Sequence, residues 1–357
     1  MEEDMQEKTL EFLKSFLETP SPSGFEESAQ KLFAEYVRPY ADRIETDVHS
    51  NVVAIKNPEG KPRLMLAGHC DEIGLMVNHI TEEGFIYFVP IGGVSPSRLE
   101  GMRVFIHTSK GSIPGVIARK QISLQTEEQE KVAKFQDLWI DFGAEDKNDA
   151  SSTVSIGDPI TLAVDFQRLR NNLFTARGFD DRLGVFILAE TIRRLNKEKI
   201  NPGVFAVSTV QEEVGSRGVW AAAYRFQPEI AIVVEVEHAS DHPDCDKRIT
   251  GDVSLGKGIG FNRGSNINKH LNNFLIETAN KENIPWHITA VPGPTPTDAS
   301  VIHITREGVP CALVRIPLRY MHTPSEIVSM DDVESAIKLL VNVITRLNSS
   351  INFRPEF

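Results

Sequence analysis

The sequence predicts an α/β fold that carries a small inserted antiparallel β domain, and three observations predict it. Four runs are apolar on both faces: LMLA (64–67), VFAVSTV (204–210), IAIVVEV (230–236) and CALVRIP (311–317). Runs of this kind are strands of a sheet covered by helices on both sides. Between and around them, apolar residues recur at helical spacing. Leu10, Leu13, Phe16 and Leu17 mark a first helix, and after the turn SPSGFEES a second runs through Phe33 and Tyr36. Further helical patterns cover 183–195, the stretch around 271–279, and 333–347. The third observation is a change of pattern from about 74 to 164. Here GLMVNHI, GFIYFVP, MRVFIHT, GSIPGVIAR, DLWIDFG and PITLAV are short, several alternate apolar with polar, and turn residues separate them. That is the signature of half-buried antiparallel strands in a small barrel or sandwich. Because α/β segments flank this stretch, it reads as an insertion. The expected organisation is 1–73, first part of the α/β domain; 74–164, inserted β domain; 165–357, second part of the α/β domain.

The chain has 357 residues, 41% hydrophobic and 25% charged, an ordinary globular composition with enough apolar side chains for a core. A net charge of -12 argues against nucleic acid or an anionic membrane surface as the main partner. The first residues, MEEDMQEK, form no apolar h-region, so no secretory signal is expected. No apolar run approaches the roughly 20 residues of a membrane span. Cys70, Cys245 and Cys311 are scattered and odd in number. They imply no disulfide framework and suit a reducing cytoplasm.

The chemistry-bearing residues sit where the apolar runs end. His69 and Asp71 follow the first, Glu212 and Glu213 the second, Glu235 closes the third, and His322 follows the fourth. In open α/β sheets such strand ends build sites. In GFDDRLGVF, Asp180 and Asp181 stand side by side and need a nearby positive charge. Arg182 is one candidate and a metal ion the other. Two imidazoles with several carboxylates suit zinc or cobalt, and also manganese. A carboxylate bridging two ions is a common arrangement in hydrolases that activate water. Asp180 is the candidate bridge, with Asp181 and Arg182 holding the turn. Of the Glu212–Glu213 pair, one can ligate while the other carries a proton. Each feature alone has a plain structural reading: a solvated acidic pair, a helix cap, a core histidine. The combination is what points to a metal centre.

Motif by motif, GHCDEIG, GFDDRLG, QEEVGSRG, the LGKG…NRGSNIN…ENIPW stretch and YMHTPSE resemble the TET-type metallo-aminopeptidases. These are the cytosolic glutamyl and deblocking aminopeptidases, some of which have also carried the description endoglucanase. The likeness covers nearly the whole chain, including TPSPSGFE near its start. It implies a di-metal peptidase α/β/α domain with an inserted β-barrel-like domain used in dimerisation and assembly. It implies a metal-dependent aminopeptidase that removes N-terminal residues from short peptides through a metal-activated water. Two divalent metal ions per subunit are implied. The first would take His69, Asp180 and Glu235, and the second Asp180, Glu213 and His322. Glu212 would be the general base and acid, and Asp71 would support His69. The peptide after Asp180 would be cis. A cytoplasmic homo-oligomer is implied, built from dimers and reaching a dodecamer.

Two departures stand out. The family usually has aspartate where this chain has Glu235. Its Gly-Gly-Thr-Asp loop reads here Gly293-Pro294-Thr295-Pro296-Thr297-Asp298. These leave a second reading, a metal-poor binding or scaffold protein with weakened catalysis. A third, a glycoside hydrolase, needs a carboxylate pair free of metal. The remaining suggestive residues read as structural: His242, Asp244, Cys245 and Asp246 in a solvated loop, Cys70 and His303 in packing, His79 and His107 within the insertion.

Overall fold

A computed structural model describes residues 2–120 and 133–355, with side chains described from residue 7. Residues 121–132, inside the expected insertion, lie outside the described residues, as does Met1. The central feature is an 11-stranded mixed sheet. Its parallel heart is four strands in the spatial order Gly203–Thr209, Arg63–His69, Ile230–His238 and Cys311–Arg319. Antiparallel strands extend it on both sides: Val52–Lys56 and Arg43–Thr46 at one edge, Glu326–Ser329, Leu173–Ala176 and Gln167–Arg168 at the other. Ile259–Gly264 branches from Cys311–Arg319 and pairs in parallel with Trp286–Val291.

The two-faced apolar runs are explained by two separate cores. Side chains alternate across a strand. In Arg63–His69, Leu64 and Leu66 enter one core, with Phe12, Phe16, Phe179 and Phe186; Met65 and Ala67 enter the other, with Val219, Ala222 and Ile302. Helices Glu2–Glu18, Glu27–Val37, Phe179–Leu195, Lys269–Lys281 and Met330–Arg346 contribute to the larger core. Arg217–Phe226 and the short Ala299–Ile302 contribute to the smaller one. The layers are therefore helix, sheet, helix.

The stretch from Gly74 to Leu162 contains a closed barrel whose strands run around the wall in the order Gly74–Ile80, Ile86–Ile91, Leu138–Asp141, Gly111–Arg119, Arg103–Thr108 and Pro159–Leu162. Leu75, Val77, Phe88, Val104, Ile106, Ile117, Ile140 and Ile160 fill it. Alternation along its strands leaves Val89, Phe105 and Val116 on the outside. His107 is held between Ser112 and Thr161 at 2.8 Å from each. Among the described residues, no helix is long and apolar enough to cross a membrane.

Candidate metal centre

All four central parallel strands point their C-terminal ends at one place. His69 is the last residue of its strand. Its Nδ1 lies 3.0 Å from the carbonyl oxygen of Asp71. A carbonyl only accepts, so Nδ1 carries a proton, and Nε2 is the nitrogen turned to the site. That Nε2 is 3.3 Å from Asp180 Oδ1. From the far side, His322 Nε2 is 3.1 Å from Asp180 Oδ2 and 3.1 Å from Glu213 Oε1. Asp180 thus offers one oxygen to each imidazole. Glu235 Oε1 stands 3.9 Å from His69 Nε2 and accepts the Val236 amide at 3.0 Å. Glu212 Oε2 also lies 3.9 Å from that nitrogen.

The local backbone is specialised to do this. The Asp180–Asp181 peptide is cis, as the resemblance implied. Asp180 and Asp181 have non-helical ψ values of 112° and 32°, so the helix that follows begins behind them. Asp181 is fully buried, and its oxygens accept the amides of His69 and Gly184, each at 3.2 Å. A Cβ on Gly184 would run into that carboxylate. Gly93, in the loop after the barrel strand Ile86–Ile91, gives similar room to His322, whose Nδ1 would lie 2.6 Å from an added Cβ.

Arg182 is not the counter-charge of the aspartate pair. Its guanidinium, fully buried, donates to Glu72 at 3.0 Å and to the carbonyls of Phe16 and Thr19 at 2.9 and 2.7 Å. Arg177 joins Glu72 at 2.6 Å, so two arginines answer one glutamate. Among the described residues, that leaves the acids around Asp180 with the two imidazoles as their cationic side chains in contact.

Asp71 supports His69 mainly through its carbonyl. Its carboxylate is 3.5 Å from Nδ1 and accepts Ser23 Oγ at 2.6 Å and the amides of Glu212 and Glu213 at 2.9 and 3.1 Å. It therefore pins the turn that carries both glutamates. Sequence reasoning assigned no role to Glu326. Its two oxygens accept the amides of Asp180 at 3.1 Å and His322 at 3.0 Å, tying two candidate ligands together. It belongs to the quoted YMHTPSE motif, the one signal that could have found it. Asp298, in the proline-containing loop, is also buried and accepts Thr209 Oγ1 at 2.6 Å.

The electrostatics are those of a site built for positive charge. Burial raises the carboxyls of Glu235, Asp181 and Glu326 well above the usual range, and neighbouring acids add to it. Burial, with Glu235, Asp298 and Glu213 nearby, pushes Glu212 up to about 9. Asp180 goes the other way: burial opposes its ionisation, yet His322 and His69 in contact hold it below the usual range. Contact with Asp180 and Glu213 raises His322 to about 11. Burial opposes protonation of His69, but Glu235, Asp180 and Asp71 outweigh it. Glu213 Oε1 is buried and faces His322 Nε2 at 3.1 Å. Imidazole nitrogens and carboxylates in this arrangement fit divalent cations.

Donor atoms cluster within 4.8 Å of one another in two groups, His69–Asp180–Glu213 and His69–Asp181–Glu235. The second group contains Asp181, where the resemblance implied Asp180. Both Asp181 oxygens are already engaged by main-chain amides, whereas the contacts of the Asp180 carboxylate are the two imidazoles. Glu237, two residues past Glu235, is committed elsewhere, to His287 at 2.7 Å and Thr289 at 2.8 Å. A cavity of about 500 Å³ opens over the centre, lined by His69, Asp180, Glu212, Glu213, Glu235 and His322 among others.

The M42 glutamyl aminopeptidase family model matches residues 50–339. A lysyl aminopeptidase of Pyrococcus furiosus is 34% identical over 349 residues, covering 97% of this chain and 99% of that protein. Among solved structures, the TET aminopeptidase of a marine sediment archaeon of the Thaumarchaeota superposes with a TM-score of 0.93 at 34% identity, covering 97% of this chain and 98% of that one. The TET1 peptidase of Pyrococcus horikoshii, which can assemble into a tetrahedron or a large octahedral shell, superposes with a TM-score of 0.85 at 30% identity, covering 95% and 100%.

Proposed function

This chain belongs to the M42 glutamyl aminopeptidase family and is an aminopeptidase, and on that premise we propose how its own residues do the work. His69, Asp180 and Glu235 would hold a first divalent metal ion, and Asp180, Glu213 and His322 a second. Zinc or cobalt suits this donor set best, with manganese next. When bound, such ions polarise a peptide carbonyl and lower the pKa of a water. The observation that carries the reading is the meeting of two imidazole Nε2 atoms on opposite oxygens of Asp180, at 3.3 and 3.1 Å. Glu212 stands over the same space, takes the proton of the attacking water on its carboxylate and returns it to the leaving amine nitrogen. Asp71 positions Glu212 and Glu213 through their amides. The substrates are short peptides whose N-terminal end enters the cavity.

Stripping metal with a chelator is expected to abolish hydrolysis of aminoacyl anilides, and added cobalt or zinc to restore it. Elemental analysis should find two divalent ions per chain. Hydrolysis that persists in metal-free protein would overturn the reading.

We assign residues 74–164 to a separate inserted domain and give it a role in assembly. Its barrel exposes Val89, Phe105 and Val116, which supports use of that surface between subunits. The shell-forming TET1 relative supports a closed assembly, for which we propose a dimer as the building block and a dodecamer as the closed form. Light scattering should give a mass far above the 39.8 kDa protomer. A strictly monomeric, active particle counts against this. The free thiols of Cys70, Cys245 and Cys311 support a reducing cytoplasm as its compartment.

A further inference from the structure

One cation in the cavity has a buried nitrogen that no described residue hydrogen-bonds. Arg315 lies on the strand Cys311–Arg319, with its Cα directly opposite Glu235 on one neighbour and Gly260 on the other. Residues paired across a ladder share a face, so Arg315 stands beside Glu235 where the cavity opens. It lines that cavity and is the only lysine or arginine among its described lining residues. Its Nε is buried and has no hydrogen-bond partner. Its two acidic neighbours feel its charge, but their hydrogen bonds go elsewhere. Glu235 faces His69 and the Val236 amide, and Glu237 is held by His287 and Thr289. The other titratable groups on the cavity wall are the acids and imidazoles of the metal centre and His238, whose pKa burial and the charge of Arg315 lower.

A guanidinium is a planar fork of donors that matches a carboxylate and stays charged. Apart from the metal centre, Arg315 is the one arginine or lysine on the described cavity wall that an anionic group of the substrate can meet. We propose that Arg315 is a specificity-determining residue that binds a substrate carboxylate. The carboxylate is either the acidic side chain of the N-terminal residue or the C-terminus of a dipeptide. The proposal rests on the aminopeptidase reading of the site.

The test uses the metal-loaded enzyme, wild type, Arg315→Gln and Arg315→Lys, on two matched pairs. Glutamyl and glutaminyl p-nitroanilides differ only in the side-chain carboxylate and have no C-terminal one. The dipeptide Gln-Ala and its C-terminal amide differ only at the C-terminus. Wild type is expected to favour the carboxylate-bearing member of one pair, and that pair identifies the source. Arg315→Gln should raise KM for that member about 10- to 100-fold, the loss of a charge-assisted pair of hydrogen bonds. The uncharged member should change by less than about twofold, and Arg315→Lys should recover part of the preference. Absence of any wild-type preference, or an equal loss on all four substrates, overturns the proposal. An equal loss would mean that Arg315 only balances the charge of the metal-centre acids. Failure of wild type to cleave any of the four would overturn the reading beneath it, and the role of Arg315 with it.

Discussion

Glu212→Gln is expected to lower turnover about 10²- to 10⁴-fold while leaving metal content and fold in place. The substitution is isosteric and removes only the ability to take up and release a proton. The local structure does not depend on that ability. The Glu212 amide still donates to Asp71 at 2.9 Å, and Ser216 Oγ, 3.3 Å from Oε1, can donate to an amide oxygen as readily as to a carboxylate. Glu213 belongs to one of the two groups of candidate donors, and Glu212 lies 3.9 Å from the nearest imidazole nitrogen given for it, where Glu213 lies 3.1 Å from His322. Its carboxyl faces the cavity and lies within 3.9 Å of His69 Nε2, close enough to serve a water held there. Single-turnover rates on an aminoacyl anilide, with elemental analysis of the same sample, separate the two roles. Near-normal turnover would mean that another group carries the proton. A loss of metal would mean that Glu212 is a ligand.

What the sequence made legible follows from what periodicity records. LMLA reads as a strand buried on both faces because its side chains alternate between two apolar cores, and the structure places Leu64 and Leu66 in one and Met65 and Ala67 in the other. The helical patterns at 271–279 and 333–347 fall on Lys269–Lys281 and Met330–Arg346. The helix read from 183 does begin just behind the aspartate pair, because Asp180 and Asp181 are non-helical and the FDD segment before it carries site chemistry instead of an apolar stripe. The site residues were legible as residue types at strand ends. Their partners were not, because those partners are distant in the chain. Nothing local says that Arg182 bonds Glu72, 110 residues away, instead of the adjacent aspartates. Nor does spacing show that the Asp71 carboxylate holds amides 141 and 142 residues further on. Glu326 lies only four residues from His322, but its second contact, the Asp180 amide, is 146 residues off. Tertiary hydrogen bonds of this kind have no period.

Asp180→Ala is expected to empty both metal positions at once and to lower activity by more than about 100-fold, beyond what the loss of an outer partner of a ligand costs. No other residue of the centre should act on both positions, because no other presents two oxygens to two different imidazoles. Glu213→Ala would take a ligand from the second ion and Glu235→Ala from the first, so each should leave partial occupancy. The fold should survive the loss of the Asp180 side chain. The main-chain amide of residue 180 still donates to Glu326, which still holds His322. The structural carboxylate in this turn is that of Asp181, which keeps the amides of His69 and Gly184. Elemental analysis and circular dichroism on one preparation decide the matter. A variant that keeps two ions per chain would show that Asp180 does not bridge. A variant that keeps one would move the bridge to another acid, and Asp181, grouped with His69 and Glu235, is the residue the geometry then favours. A variant that loses both ions but remains folded leaves Asp180 as the shared ligand, because only a residue common to both positions empties them together.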